Sequence, residues 1–136
     1  KSACSGAGIA APQIGEPWRV FVLGMEHNPR YPEAPPLPER VVINPVFKAI
    51  GEESTTFWEG CLSVPGMRGE VKRSKYIHLQ YQDQEGFSHQ EELEGFHARA
   101  IQHEVDHLDG VFFTDRLTST VAFGFIDELQ AHGLIP

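Results

Sequence analysis

His103-Glu104-Val105-Asp106-His107, an H-E-x-x-H sequence, lies inside an apolar-periodic run from about Leu93 to Leu108. At about 100° per residue, the two imidazoles stand one above the other on a helix, about 40° apart around its axis. Phe96 and Ala100 share that stripe, with Leu93 and Glu104 close beside it, whereas Arg99, Gln102 and Asp106 point the opposite way. The imidazoles are therefore expected on the buried face of a core helix. Two histidines at i, i+4 with a carboxylate one residue after the first form the helix signature of metal-assisted hydrolysis. The bland alternative is a buried histidine pair satisfied by hydrogen bonds. The buried placement, the intervening Glu and a third ligand elsewhere favour the metal.

The chain around this helix has 136 residues, enough for one compact domain (1–136) and too few for two. Its formal net charge is −8, with no long run of lysine or arginine, which argues against nucleic-acid binding. No apolar run reaches the ~18–20 residues that cross a bilayer, and none resembles a signal peptide, so no membrane association is expected. Two cysteines, Cys4 and Cys61, are too few for a disulfide framework. A reducing cytoplasm is the simpler setting, where such a thiol is a ligand or a buried side chain. The first residue is Lys1, so the chain is expected to begin after an initiator, a tag or a missing segment.

Upstream of the helix the pattern is β-rich. Trp18–Met25 reads as a buried strand, and Asn28–Arg40, crowded with prolines, as a surface loop. Val41–Ile43 reads as a short strand stopped by Asn44-Pro45, with Val46–Ile50 continuing the sheet. Thr55–Trp58 favours strand, Pro65-Gly66 turns the chain, and Val71–Asp83 contains a long strand pattern ending in a hairpin at Asp83-Gln84-Glu85-Gly86. Downstream, Asp109-Gly110 stops the helix and Val111–Phe113 is brief and extended. Thr118 or Ser119 can cap a last helix running to about His132, packing through Phe123, Ile126 and Leu129. Strands first and one central helix after them give an α+β fold, with mixed or antiparallel sheets packed around the helix that carries the motif. No exposed apolar helix face demands a partner, and a monomer is expected.

A catalytic metal needs a third protein ligand and one open position. Cys61 is the best candidate: it follows Gly60, which lets the backbone come close, at the end of an apolar strand. A thiolate beside two imidazoles suits Zn²⁺ or Fe²⁺. Cys4, in an unpatterned terminus, is the weaker alternative, and a small buried hydrophobe is the ordinary reading of Cys61.

Three motifs now stand in order: Gly6-Ala7-Gly8-Ile9-Ala10-Ala11-Pro12-Gln13, Glu59-Gly60-Cys61-Leu62-Ser63, and Gln102-His103-Glu104-Val105-Asp106-His107. Together they resemble the signature motifs of the peptide deformylase family, and the resemblance runs from Gly6 to the last helix. It implies one divalent metal held by Cys61, His103 and His107, natively Fe²⁺ in many members, with Zn²⁺, Ni²⁺ or Co²⁺ as substitutes. It also implies hydrolysis of the formyl group from N-formyl-methionyl peptides of nascent chains, with release of formate. Glu104 would serve as general base and acid toward a metal-activated water, and Gln13 with the backbone N–H of Leu62 would face the formyl oxygen. Gly8 and Gly60 leave backbone bare for an extended peptide to add as a strand. Phe57, Glu59, Phe96 and Ala100 would line the methionine pocket, the helical wheel agreeing for the last two, and Arg68 matches an arginine near the peptide path. The setting implied is the cytoplasm of a bacterium, or of a host if phage-encoded, or an organelle, with transient proximity to the ribosome. Few residues precede Gly6, and the short carboxyl-terminal helix weighs against ribosome docking through that end.

Two other readings compete. A zinc endopeptidase is suggested by the helix motif alone, but its downstream third ligand is missing and a thiol stands in its place. A non-catalytic, metal-stabilised module that captures peptide amino termini would need a closed four-ligand site, for example with Cys4 recruited.

Overall fold

The computed structural model describes residues 8–16, 18–25, 37–61, 63–118 and 123–135. Two antiparallel sheets hold one long helix between them. The first has the order β1-β2-β3-β6-β7, from Gly8–Ala10 (β1), Val20–Met25 (β2), Leu37–Ala49 (β3), Tyr76–Gln82 (β6) and Ser88–Glu94 (β7). The second has the order β4-β5-β8, from Ser54–Cys61 (β4), Val64–Ser74 (β5) and Phe123–Phe125 (β8). Helix α1 covers Gly95–Leu108 and contacts all five strands of the first sheet and β5 of the second. A short helix α2 follows at Ile126–Ala131.

Alternation builds the first sheet. Phe21 and Leu23 on β2, Val42 on β3, and Ile77 and Leu79 on β6 all point inward, and Ala98, Ile101 and Val105 of α1 pack onto them. Residues two apart share a face of a strand, so each strand contributes one buried stripe to the helix. A smaller cluster of Cys61, Val71 and Phe113, joined by Val64, Leu117 and Phe123, fills the side of the second sheet. Among the described residues β7 pairs with β6 alone, so β7 and the three-residue β1 form the two edges of the larger sheet.

Several boundaries differ from the sequence expectation. Trp18 is 64% exposed and precedes β2 rather than opening a buried strand. Leu37–Arg40, expected as loop, already pairs with β2, while the proline stretch before it lies outside the described residues. Asn44-Pro45 does not end a strand. Asn44 takes a left-handed φ of 50°, the pairing with β6 shifts between Ile43 and Val46, and β3 continues to Ala49. An asparagine tolerates that conformation, so the chain absorbs a bulge where the sequence suggested a stop. Cys61, the last residue of β4, already pairs with Val64, the first of β5, so Pro65-Gly66 lies inside β5 and does not make the turn. Residues 113–116 form a 3₁₀ turn instead of continuing the extended piece. Phe123–Phe125 is a strand, so the last helix starts at Ile126, not at Thr118 or at Ser119, which lies outside the described residues.

Gly69 on β5 shows how tightly the smaller cluster is filled. A methyl group there would lie 2.2 Å from Leu117 Cδ2 and 3.1 Å from Phe113 Cε2. Gly69→Ala is expected to cost about 1–3 kcal/mol by overpacking. Urea unfolding measures it, and an unchanged midpoint would show that Leu117 moves aside freely.

Candidate metal centre

β4 and α1 together build the centre. His103 and His107 stack one turn apart on α1, with ring centroids 4.8 Å apart, and Cys61 ends β4 opposite them. Cys61 Sγ lies 3.2 Å from His107 Nε2, and His107 Nε2 lies 3.1 Å from His103 Nε2. All three donor atoms fall within 4.8 Å of one another, the one such cluster of three or more His, Cys, Asp or Glu among the described residues. Cys4, the weaker candidate, lies outside the described residues.

The donor set fits a cation. Two ring nitrogens aimed at each other beside a sulfur bring lone pairs together, which a shared proton or a bound cation relieves. A tetrahedral ion with bonds of about 2.0–2.1 Å to nitrogen and about 2.3 Å to sulfur would place its donors about 3.3–3.6 Å apart, close to the two separations of 3.2 and 3.1 Å around His107 Nε2. The titration behaviour points the same way. Burial alone would raise the Cys61 thiol, but hydrogen bonds from His103 and His107 outweigh it and lower the group to about 5. Burial would likewise lower His103, but its bonds to Cys61 and Glu59 pull it up to about 10. The pocket is one that attracts a positive charge, and a divalent ion satisfies it without protonating a ligand.

Glu104 stands beside the imidazoles, 5% exposed, and its Oε2 has no hydrogen-bond partner among the described residues. Burial raises its carboxyl to about 7 despite the lowering influence of His103 and His107. A buried carboxylate oxygen left open next to metal donors is a group waiting for a proton or a water. Gly8, on β1, makes room for it. A methyl group at Gly8 would sit 3.2 Å from Glu104 Oε1 and 3.0 Å from both Val22 O and Leu23 Cδ1. Gly8→Ala is expected to displace the carboxylate and lower turnover about 10- to 100-fold with metal content unchanged. Steady-state kinetics and metal analysis on the same sample decide it, and wild-type turnover would remove Gly8 from this role.

Gln13 reaches the centre from the 3₁₀ turn Ala11–Ile14. The N–H of Ala10 donates to its Oε1 at 2.8 Å, which fixes the amide so that Nε2 faces inward. That Nε2 lies 3.5 Å from Cys61 Sγ and donates to Ser63 Oγ at 3.0 Å. Leu62, whose N–H was expected to face the same point, lies outside the described residues.

Glu59 stands directly behind one of the ligands. It is buried, and its Oε1 accepts from His103 Nδ1 at 2.9 Å, while Arg73 grips both its oxygens at 2.6 and 2.9 Å and Arg99 also bonds Oε2. Burial would raise Glu59, yet the bonds from His103 and Arg73 and the Arg73 charge bring it down to about 2. An ionised carboxylate only accepts, so Nδ1 of His103 carries the proton and Nε2 keeps its lone pair for the metal. Residues two apart on β4 thus serve the site from two sides: Cys61 as a ligand, Glu59 behind a ligand.

Of the remaining expected residues, Phe57 is half exposed and meets Phe96 edge-on at 6.4 Å, and Ala100 is buried in the main core. Gly60 and Arg68 line a cavity of about 100 Å³ beside Cys61, together with Val64, Met67 and Ile126. Arg68 is buried, not a solvated surface charge.

The face of α1 taken as pointing away is buried too. Arg99 bonds Thr55 O and Val71 O, Gln102 bonds both backbone groups of Ser74, and Asp106 is gripped by Arg73 and Arg116. Helical periodicity separates apolar from polar faces but not buried from exposed ones. The missed signal was charge complementarity between Arg99 and Asp106 on one stripe and Glu59 and Arg73 on flanking strands.

Comparison with known proteins agrees with this geometry. A model of the polypeptide deformylase family matches residues 1–122. The chain is 55% identical over 131 residues to peptide deformylase 1 of Prochlorococcus marinus strain MIT 9313, covering 96% of this chain and 68% of that one. It is 48% identical over 130 residues to peptide deformylase 1 of Nitrosomonas europaea, covering 94% and 73%. Among solved structures, the Met-Ala-Ser-bound class I type b peptide deformylase of Acinetobacter baumannii superposes with a TM-score of 0.78 at 42% identity, covering 82% of this chain and 70% of that one.

Proposed function

The chain belongs to the peptide deformylase family, a family of hydrolases, and on that premise we propose how its residues divide the reaction. The substrate is an N-formyl-methionyl peptide from a nascent chain, a reading supported by the Met-Ala-Ser held by the Acinetobacter relative. The cation held by Cys61, His103 and His107, Fe²⁺ in the cell, with Zn²⁺, Ni²⁺ or Co²⁺ as substitutes, supplies Lewis acidity that acidifies a water and polarises a carbonyl.

Glu104 then moves the protons. Its open Oε2 takes one from the attacking water, whose oxygen bonds to the formyl carbon. The same oxygen returns it to the amide nitrogen as the C–N bond breaks, giving formic acid and a methionyl amine; the acid then passes its proton to the amine, leaving formate and a methionyl ammonium. A carboxyl held at about 7 is suited to both transfers near neutral pH. Gln13 Nε2 donates to the formyl oxygen as negative charge develops there, and the Leu62 N–H shares that role. The peptide extends along Gly8 and Gly60, near Arg68, with the methionine side chain against Phe57, Phe96 and Ala100. Glu59, expected beside that pocket, also accepts from His103 Nδ1 and holds that ring in place. Residues 1–136 act as one catalytic unit and as a monomer, each chain carrying the whole donor set. The enzyme works in the cytoplasm in transient proximity to the ribosome; no helix among the described residues is long and apolar enough to cross a membrane.

The convergence of Cys61 Sγ with both Nε2 atoms, next to the unpartnered Glu104 Oε2, carries this reading. Protein loaded with Fe²⁺ without air should release formate from formyl-Met-Ala-Ser and lose that activity to a chelator. No formate from an intact, metal-loaded sample would defeat the reading, and cleavage of a blocked peptide lacking the formyl group would favour an endopeptidase.

A further inference from the structure

A ladder of ion pairs runs from the surface of the second sheet to the back of one metal ligand. Its outer rung is Arg116, on the 3₁₀ turn Phe113–Arg116, with its side chain 48% exposed. Arg116 Nε and Nη2 grip Asp106 at 2.6 and 3.0 Å. Asp106 Oδ2 also accepts from Arg73 Nη1 at 2.9 Å; the other face of the Arg73 guanidinium grips Glu59 at two points, and Glu59 accepts from His103 Nδ1. Two of the four links, Arg116–Asp106 and Arg73–Glu59, are two-point contacts between planar groups, which fix orientation as well as distance. Each inner member is buried, so none swings without leaving a neighbour's charge unpaired.

The same turn touches the ligands directly. Phe113, its first residue, lies roughly parallel to the His103 ring at 6.4 Å, and Phe112 meets the His107 ring edge-on at 5.5 Å. Asp106 sits on α1 between the two ligands in sequence but turned away from them. By gripping it, Arg116 ties the turn that carries both phenylalanines to the helix that carries both imidazoles.

Building on the reading of Cys61, His103 and His107 as the metal centre, we infer that Arg116 and Asp106 are positioning residues of that centre, acting on His103 through Arg73 and Glu59. Neither touches the reacting atoms. Their effect is on the angle and tautomer at which His103 presents Nε2, and on how firmly the aromatic turn is held against the rings. Partners of this kind behind metal ligands are worth about 10- to 100-fold in metal affinity.

Cobalt is the probe, because its visible bands report ligand geometry. Arg116→Ala, at a half-exposed position, is expected to lower Co²⁺ affinity about tenfold or more in chelator competition, and to shift the visible bands. Arg116→Lys keeps the charge but not the two-point grip, and is expected to fall between that variant and wild type. Combining Arg116→Ala with Glu59→Gln should cost no more affinity than Glu59→Gln alone, because both act along one path. A wild-type chain that takes up no cobalt overturns the metal centre and this inference with it. Wild-type uptake with unchanged affinity and bands in both Arg116 variants, even if the metal-free protein melts lower, overturns the inference alone. Fully multiplicative losses in the double variant overturn it as well.

Discussion

Glu104→Gln is expected to retain its metal and lose about 10²- to 10⁴-fold in turnover, the range that a positioned proton-transfer group contributes. The side chain keeps its size, and none of the three donor atoms belongs to it, so metal content should match wild type. What disappears is the oxygen that accepts and returns a proton. Stability should move the other way. Burial raises the Glu104 carboxyl to about 7, so the folded chain disfavours its ionised form, and an amide in its place escapes that penalty. Equal or higher thermal stability with almost no formate release is therefore the expected pair of results, as happens where a site holds a group for function at the expense of stability. Turnover within a few-fold of wild type would remove Glu104 from the mechanism. Loss of the metal would show that it does more than move protons.

The second large effect is on folding. Arg73 lies between two buried carboxylates, gripping Glu59 with one side of its guanidinium and Asp106 with the other. Arg73→Ala leaves both without that partner. Arg99 and His103 still hold Glu59, and Arg116 still holds Asp106, so neither carboxylate is orphaned outright. Breaking a buried pair from one side costs about 3–5 kcal/mol, and the surviving contacts place the expected loss toward the lower end. Chemical unfolding of the metal-free chain measures it. A loss below about 1 kcal/mol, the worth of an exposed pair, would mean that water enters the network freely.

How much of this was legible beforehand depends on what each residue answers to. His103, His107 and Glu104 sit on a helix whose period the sequence displays, so their common location followed from spacing alone. Cys61 could be nominated by its chemistry, but its approach to within 3.2 Å of His107 depends on how β4 crosses α1, a tertiary fact. Glu59 illustrates the limit. The resemblance placed it at the methionine pocket, but its burial against two arginines and the His103 ring depends on how β4 meets β5 and α1, which no local pattern displays. In the fold, the β-branched and aromatic run of β2 and the alternating pattern of β6 emerged close to where the sequence put them. Asn44-Pro45 misled because a left-handed asparagine lets a strand continue through a residue pair that ordinarily stops one. Phe123–Phe125 misled because three residues are too few for any period to show, and pairing with β5 decided the matter.

The two borders of the larger sheet have opposite characters. Along β7 Glu92 and Glu94 are exposed, while Glu91 is paired with Arg40, so a second copy of the chain lying beside this strand would bring its own carboxylates against them. Along β1 there are three small or apolar residues, Gly8, Ile9 and Ala10, and no charge at all. A protein that takes in extended chains risks joining to itself by the same backbone bonds. On the proposed reading, the acids at Glu92 and Glu94 keep the far border from pairing, so that the border beside Glu104 is the one that receives the peptide.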